Sequence, residues 1–77
     1  MEAKEIILSI INEKRRQRIY PPLATWYNIV RFCEKYNISY QETEKELDRL
    51  VEAGEVERGD TASAGKYYKI IKLRIKN

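Results

Sequence analysis

The amino-acid sequence predicts a small α+β domain of three helices followed by a C-terminal β-hairpin. Apolar residues recur at helical spacing in three stretches before Gly54. Residues 66–76 then switch to β-branched and aromatic side chains in a two-residue rhythm. Between these two patterns, Gly54 and the small-residue stretch 59–65 mark the breaks. The 77 residues make one domain, which buries roughly 60–65% of its unfolded surface and has little core to spare for an enclosed active site.

The first helix is expected over about residues 2–17. Ala3, Ile6, Ile7, Ile10, Ile11 and Lys14 share one face, opposite Glu2, Glu5, Ser9, Glu13 and Arg16, with Leu8 off the stripe. Pro21 and Pro22 stop any continuation, because they lack amide donors and hold the preceding residues extended. Thr25 is a good N-cap for a second helix over about 26–36. Its expected core stripe is Trp26, Ile29, Cys33 and Tyr36, with Phe32 beside it and Tyr27 and Val30 largely outside it.

Asn37 suits a left-handed position after that helix. Ser39 with Glu42 forms a Ser-x-x-Glu capping box and starts a third helix over about 39–53. Tyr40, Thr43, Leu47, Leu50 and Val51 form its stripe, and Gly54 ends it. Strands are expected over about 55–58 and 66–75. Val56 points inward, residues 59–65 form a flexible loop, and the apolar phase shift at Ile70-Ile71 marks either a bulge there or a change of role beyond it.

Charged residues make up 35% of the chain and apolar ones 43%, a globular composition. There is no histidine and a single cysteine, so the commonest general base is missing and neither an internal disulfide nor a cysteine–histidine zinc cluster is possible. Ser and Thr have no histidine partner, and no glycine-rich phosphate loop precedes a helix. The expectation is therefore not an enzyme, with no cofactor, no metal and no small-molecule substrate. No apolar run approaches a membrane span and no signal-peptide core is present, so a cytoplasmic location is expected.

The net charge of +3 is unevenly spread. Residues 1–38 carry a net +3, residues 39–60 a net −5 and residues 61–77 a net +5.

The order helix, short extended piece, helix, turn, helix, strand, loop, strand resembles the winged helix-turn-helix family over residues 3–70. The matching residues are the Thr25 cap, the turn Asn37-Ile38-Ser39, Leu47 with Leu50, Ala53-Gly54, and Val56-Glu57-Arg58 entering the hairpin. The stretch Tyr20-Pro21-Pro22-Leu23-Ala24-Thr25 is similar to the join before the second helix in LexA-type repressors. The resemblance implies duplex DNA as partner, with the third helix in the major groove and the hairpin as a wing on phosphate.

Carried onto this chain, the groove-facing positions are Gln41, Glu42, Glu44, Lys45, Asp48 and Arg49. That set is more acidic than a phosphate surface requires. The expected DNA contacts are therefore Arg15, Arg16 and Arg18 at the end of the first helix, Gln41, Lys45 and Arg49 on the third, and Arg58, Lys66 and Lys69 at the wing. The bland readings are a helix end whose cations favour the dipole, and lysines that protect an edge strand. The tyrosines are read as core and rim packing, and Cys33 as a small buried hydrophobe.

A competing reading is a protein-interaction or dimerisation module of the same fold that does not bind DNA. It rests on the acidic third helix and on surplus apolar residues: Leu8, Tyr27, Val30 and the strand face of Ile71, Leu73 and Ile75. A homodimer fits either reading.

Overall fold

In a computed structural model that describes residues 2–63 and 65–71, the chain is an α+β fold with a winged-helix layout. Its elements run α1 (Ala3–Arg16), β1 (Ala24–Thr25), α2 (Trp26–Lys35), α3 (Tyr40–Glu52), β2 (Val56–Thr61) and β3 (Gly65–Ile70). The strands form one antiparallel sheet in the order β1-β3-β2.

One apolar cluster joins all of these elements. Ile6 and Ile7 of α1, Ile29 and Cys33 of α2, Leu47 of α3, Val56 of β2 and Tyr68 of β3 are fully or almost fully buried. The α1 stripe is buried as its spacing predicts: Ala3, Ile6, Ile7, Ile10 and Ile11. On α2 and α3 the stripes are narrower than expected. Tyr36 and Tyr40 are both about half exposed (51% and 47%), because each lies at a helix end, beyond the reach of the core.

All three helices end in the same way. Arg18, Asn37 and Gly54 each take positive φ, at 60°, 55° and 76°. The amide of the next residue then donates back to a carbonyl five positions earlier: Ile19 to Lys14, Ile38 to Cys33 and Glu55 to Leu50. Each of these Schellman turns satisfies carbonyls that the helix itself leaves open. The helix starts are less alike. Ser39 accepts from the Glu42 amide at 3.3 Å, which is one half of the expected box. The complete reciprocal box forms instead at Thr25 and Asn28, where each side chain accepts from the other residue's backbone amide.

The turn between α2 and α3 is pinned by a short polar chain. The Thr43 hydroxyl donates to the Ser39 carbonyl at 2.8 Å, and the Cys33 thiol lies 3.6 Å from that hydroxyl. Cys33 is a free, buried cysteine.

Three expectations about the strands change. Ala24 and Thr25 form a true strand, β1, paired with Tyr68 and Tyr67. A two-residue strand carries no period of its own, so only its partner reveals it. The segment expected to be a loop over 59–65 is mostly strand, because β2 continues through Gly59 and Asp60 to Thr61. Gly59 permits this, since the Tyr67 ring occupies the space a Cβ would need: the two would be only 2.3 Å apart. Finally, no bulge falls at Ile70-Ile71. The register from Thr61–Gly65 to Val56–Ile70 is unbroken, and the Ile71 amide extends it by donating to the Glu55 carbonyl at 3.0 Å. The apolar phase shift therefore puts Ile71 on the opposite face from Ile70, 55% exposed. Leu73 and Ile75 lie outside the described residues.

Candidate nucleic-acid interface

Burial of Thr43, Leu47 and Leu50 fixes the rotation of α3. It leaves Gln41, Glu42, Lys45, Asp48, Arg49 and Glu52 exposed, with Glu44 half-buried. The positions expected to face a groove are thus on the outside of this helix.

The hairpin lies against one edge of that surface. Arg58 and Asp60 share the inward face of β2 with Val56, and their register partners on β3 are Tyr68 and Lys66. From that face Arg58 reaches Asp48 at 3.6 Å, and Lys66 reaches Glu44 at 3.3 Å. Glu44 and Asp48 are four residues apart, one helical turn, so one row of α3 meets two alternate rungs of the hairpin, with Gly59–Tyr67 between them. Lys66 also sits 4.4 Å from the centroid of the Trp26 ring, so it touches α2 and α3 together.

Beneath these two ion pairs lies Tyr68. Its ring packs at a tilt against Trp26, with centroids 6.4 Å apart. Its hydroxyl is buried and has no hydrogen-bond partner among the described residues. Burial raises the pKa of this phenol above its ordinary 10.0; nearby Arg58 pulls the other way but does not cancel it.

The other expected contacts divide into committed and uncommitted cations. Arg49 donates to Glu46 at 2.6 Å, and that bonded carboxylate holds its guanidinium pKa above the ordinary value. Arg16 is engaged by Glu13, one turn back on α1. Arg15, Arg18, Lys45 and Lys69 are exposed and make no ion pair among the described residues. Lys69 projects from the outer face of the hairpin, opposite Glu57 in the register.

The nine expected contacts do not form one cluster. Arg58 and Lys66 join α3 at the hairpin. Arg16 instead lines a groove between α1 and α2, together with Arg31 and Lys35, which the sequence reading had not singled out. The spacing of Glu44 and Asp48, set against alternating Arg58 and Lys66 across a hairpin, was the available signal for the α3 ion pairs. Among the described residues, no group of three or more acidic or cysteine side chains is placed to hold a metal ion, and no helix is long and apolar enough to cross a membrane. No protein-family model, curated protein or solved structure matches this chain.

Proposed function

We propose that the protein is a winged-helix DNA-binding protein, a small transcriptional regulator or mobile-element protein acting in the cytoplasm. The observation that carries this reading is the pairing of Glu44 with Lys66 and of Asp48 with Arg58. An acidic third helix repels phosphate only while its carboxylates are unmatched. Here two of them face cations of the adjoining hairpin, and a third, Glu46, faces Arg49. Gln41 and Lys45 remain on the outer face of α3, where a glutamine can read adenine and a lysine can meet phosphate.

Arg18 supports the same reading. It occupies a left-handed position that glycine fills at lower cost. A long cation kept at such a position points to a use for its charge. Phosphate contacts are assigned to Arg15, Arg18, Lys45 and Lys69. Arg16, Arg49, Arg58 and Lys66 keep their carboxylate partners and add no phosphate contact of their own in the unaltered protein. A single copy offers few such contacts, so binding is weak and salt-sensitive, and a dimer on paired half-sites is the form proposed to act.

The test is fluorescence anisotropy with a labelled duplex at low salt, repeated at rising salt. Affinity should fall with a log–log slope of about 0.9 per phosphate contact. Duplex binding no tighter than that of a neutral polymer at low salt would refute the proposal. Sedimentation at micromolar concentration reads the dimer separately.

A further inference from the structure

We infer that the groove between the C-terminal half of α1 and α2 docks an acidic, amphipathic helical segment of another protein. The groove has a volume of about 1150 Å³ and opens broadly to solvent. Polar and charged side chains predominate in its lining, around a narrow apolar floor of Ile10, which is buried there, and Phe32, which packs on Tyr36 with ring centroids 4.6 Å apart. Tyr36 and Ile19, at its rim, are 51% and 45% exposed. A helix laid into such a groove presents anchors at three- and four-residue spacing to that floor.

Charge selects the partner. Five ion pairs occur among the described residues, and three of them take cations of the α3–hairpin side: Arg49, Arg58 and Lys66. In the groove, Lys14, Arg31 and Lys35 have no carboxylate partner among the described residues. Arg31 and Lys35 are held by aromatic rings instead. Arg31 donates to the Tyr27 hydroxyl at 2.8 Å and lies 5.5 Å from that ring's centroid, while Lys35 sits 5.5 Å from the Tyr36 centroid. A ring orders a cation without neutralising it, so both remain available to an incoming carboxylate. Of the two acids lining the groove, Glu13 is engaged by Arg16 and Gln17, leaving Glu34 as the one opposing charge.

These contacts favour a peptide over a single-stranded nucleic acid. Bases stack on free aromatic faces. Tyr27 and Tyr36 already carry Arg31 and Lys35 over theirs, and Phe32 takes up more of Tyr36.

The probe is a labelled synthetic helix with leucine and phenylalanine along one face and glutamate along the other. Three comparisons accompany it: an all-glutamate peptide, an oligo-dT strand and the labelled duplex. Anisotropy should show saturable binding of the amphipathic helix. Amide shifts should concentrate at Ile10, Ile19, Phe32 and Tyr36. The Arg31→Gln/Lys35→Gln variant should bind the probe about fivefold more weakly, with its melting and its duplex affinity unchanged. The inference is overturned by absence of saturable binding, by shifts centred on α3, or by equal affinity for the all-glutamate peptide or oligo-dT. A loss of duplex affinity in the double variant would equally overturn it, since the groove would then belong to the nucleic-acid surface. Failure of every variant to bind duplex sinks the DNA reading and leaves the peptide result standing on its own.

Discussion

The Glu44 carboxylate and the Lys66 ammonium lie 3.3 Å apart, joining the middle of α3 to the start of β3. Lys66 is the more buried partner and rests on Trp26, so its position is set by packing as well as by charge. Arg58 and Asp48 repeat the arrangement farther along α3 at 3.6 Å. Both pairs are partly exposed, and pairs of that kind contribute little to stability, about 0–1 kcal/mol. Their main effect is on which anions Lys66 and Arg58 can meet.

Glu44→Gln with Asp48→Asn should therefore tighten duplex binding and steepen its salt dependence by about two in log–log slope, one for each cation released. Melting should change little. Anisotropy titrations at several salt concentrations measure both quantities. Unchanged or weaker duplex binding would show that these cations never reach phosphate.

Tyr68→Phe should leave stability unchanged or raise it by about 1 kcal/mol, since the buried hydroxyl it removes has no partner among the described residues. Tyr68→Ala should cost about 3–5 kcal/mol, the usual loss for a large buried ring. Denaturant titration of the two variants checks the contrast.

Tyr68 also sets an alkaline limit. Its folded pKa lies above the unfolded value of 10.0, so the folded chain keeps a proton that the unfolded chain loses. Stability is full below pH 10.0 and falls as the pH rises past it toward the folded pKa. This component should vanish in Tyr68→Phe, and comparing the two proteins' denaturation midpoints above and below that pH isolates it.

Arg18→Gly should stabilise the fold by about 0.5–1 kcal/mol, because glycine takes the left-handed conformation without a Cβ clash. Gly54→Ala should cost about 1–2 kcal/mol at the equivalent turn of α3. Nothing lies within 4 Å of the added methyl, so that cost is purely conformational. Thermal melts report both. If Arg18 also contacts phosphate, the stabilised Arg18→Gly protein will bind duplex more weakly.

Gly59→Ala tests the strand that replaced the expected loop. The new Cβ would collide with the far edge of the Tyr67 ring, which must swing away at a cost of about 1 kcal/mol. In a Tyr67→Ala background the penalty should disappear, and a double-mutant cycle gives the coupling directly.

Much of what depends on a neighbour in sequence was legible in the chain itself, although the reciprocal Thr25–Asn28 box and the left-handed Arg18 were not. The α1 stripe, the left-handed Asn37, the helix end at Gly54, the Thr25 and Ser39 caps and the inward Val56 each follow from spacing or from one residue's backbone chemistry. Tertiary structure decided whatever depends on a neighbour in space. β1 exists because β3 supplies its hydrogen bonds, and Gly59 extends β2 because Tyr67 lies across it. Arg18 looked like one more cation at a helix end, yet it closes α1 in the way that Asn37 and Gly54 close α2 and α3. Charge divides along the same line. Sequence alone determined that residues 39–60 are acidic, but packing decided that Glu44 and Asp48 meet Lys66 and Arg58. An ion pair requires two side chains within about 4 Å. Helical and strand periods fix directions within one element, and only the packing of α2, α3 and the hairpin fixes distances between them.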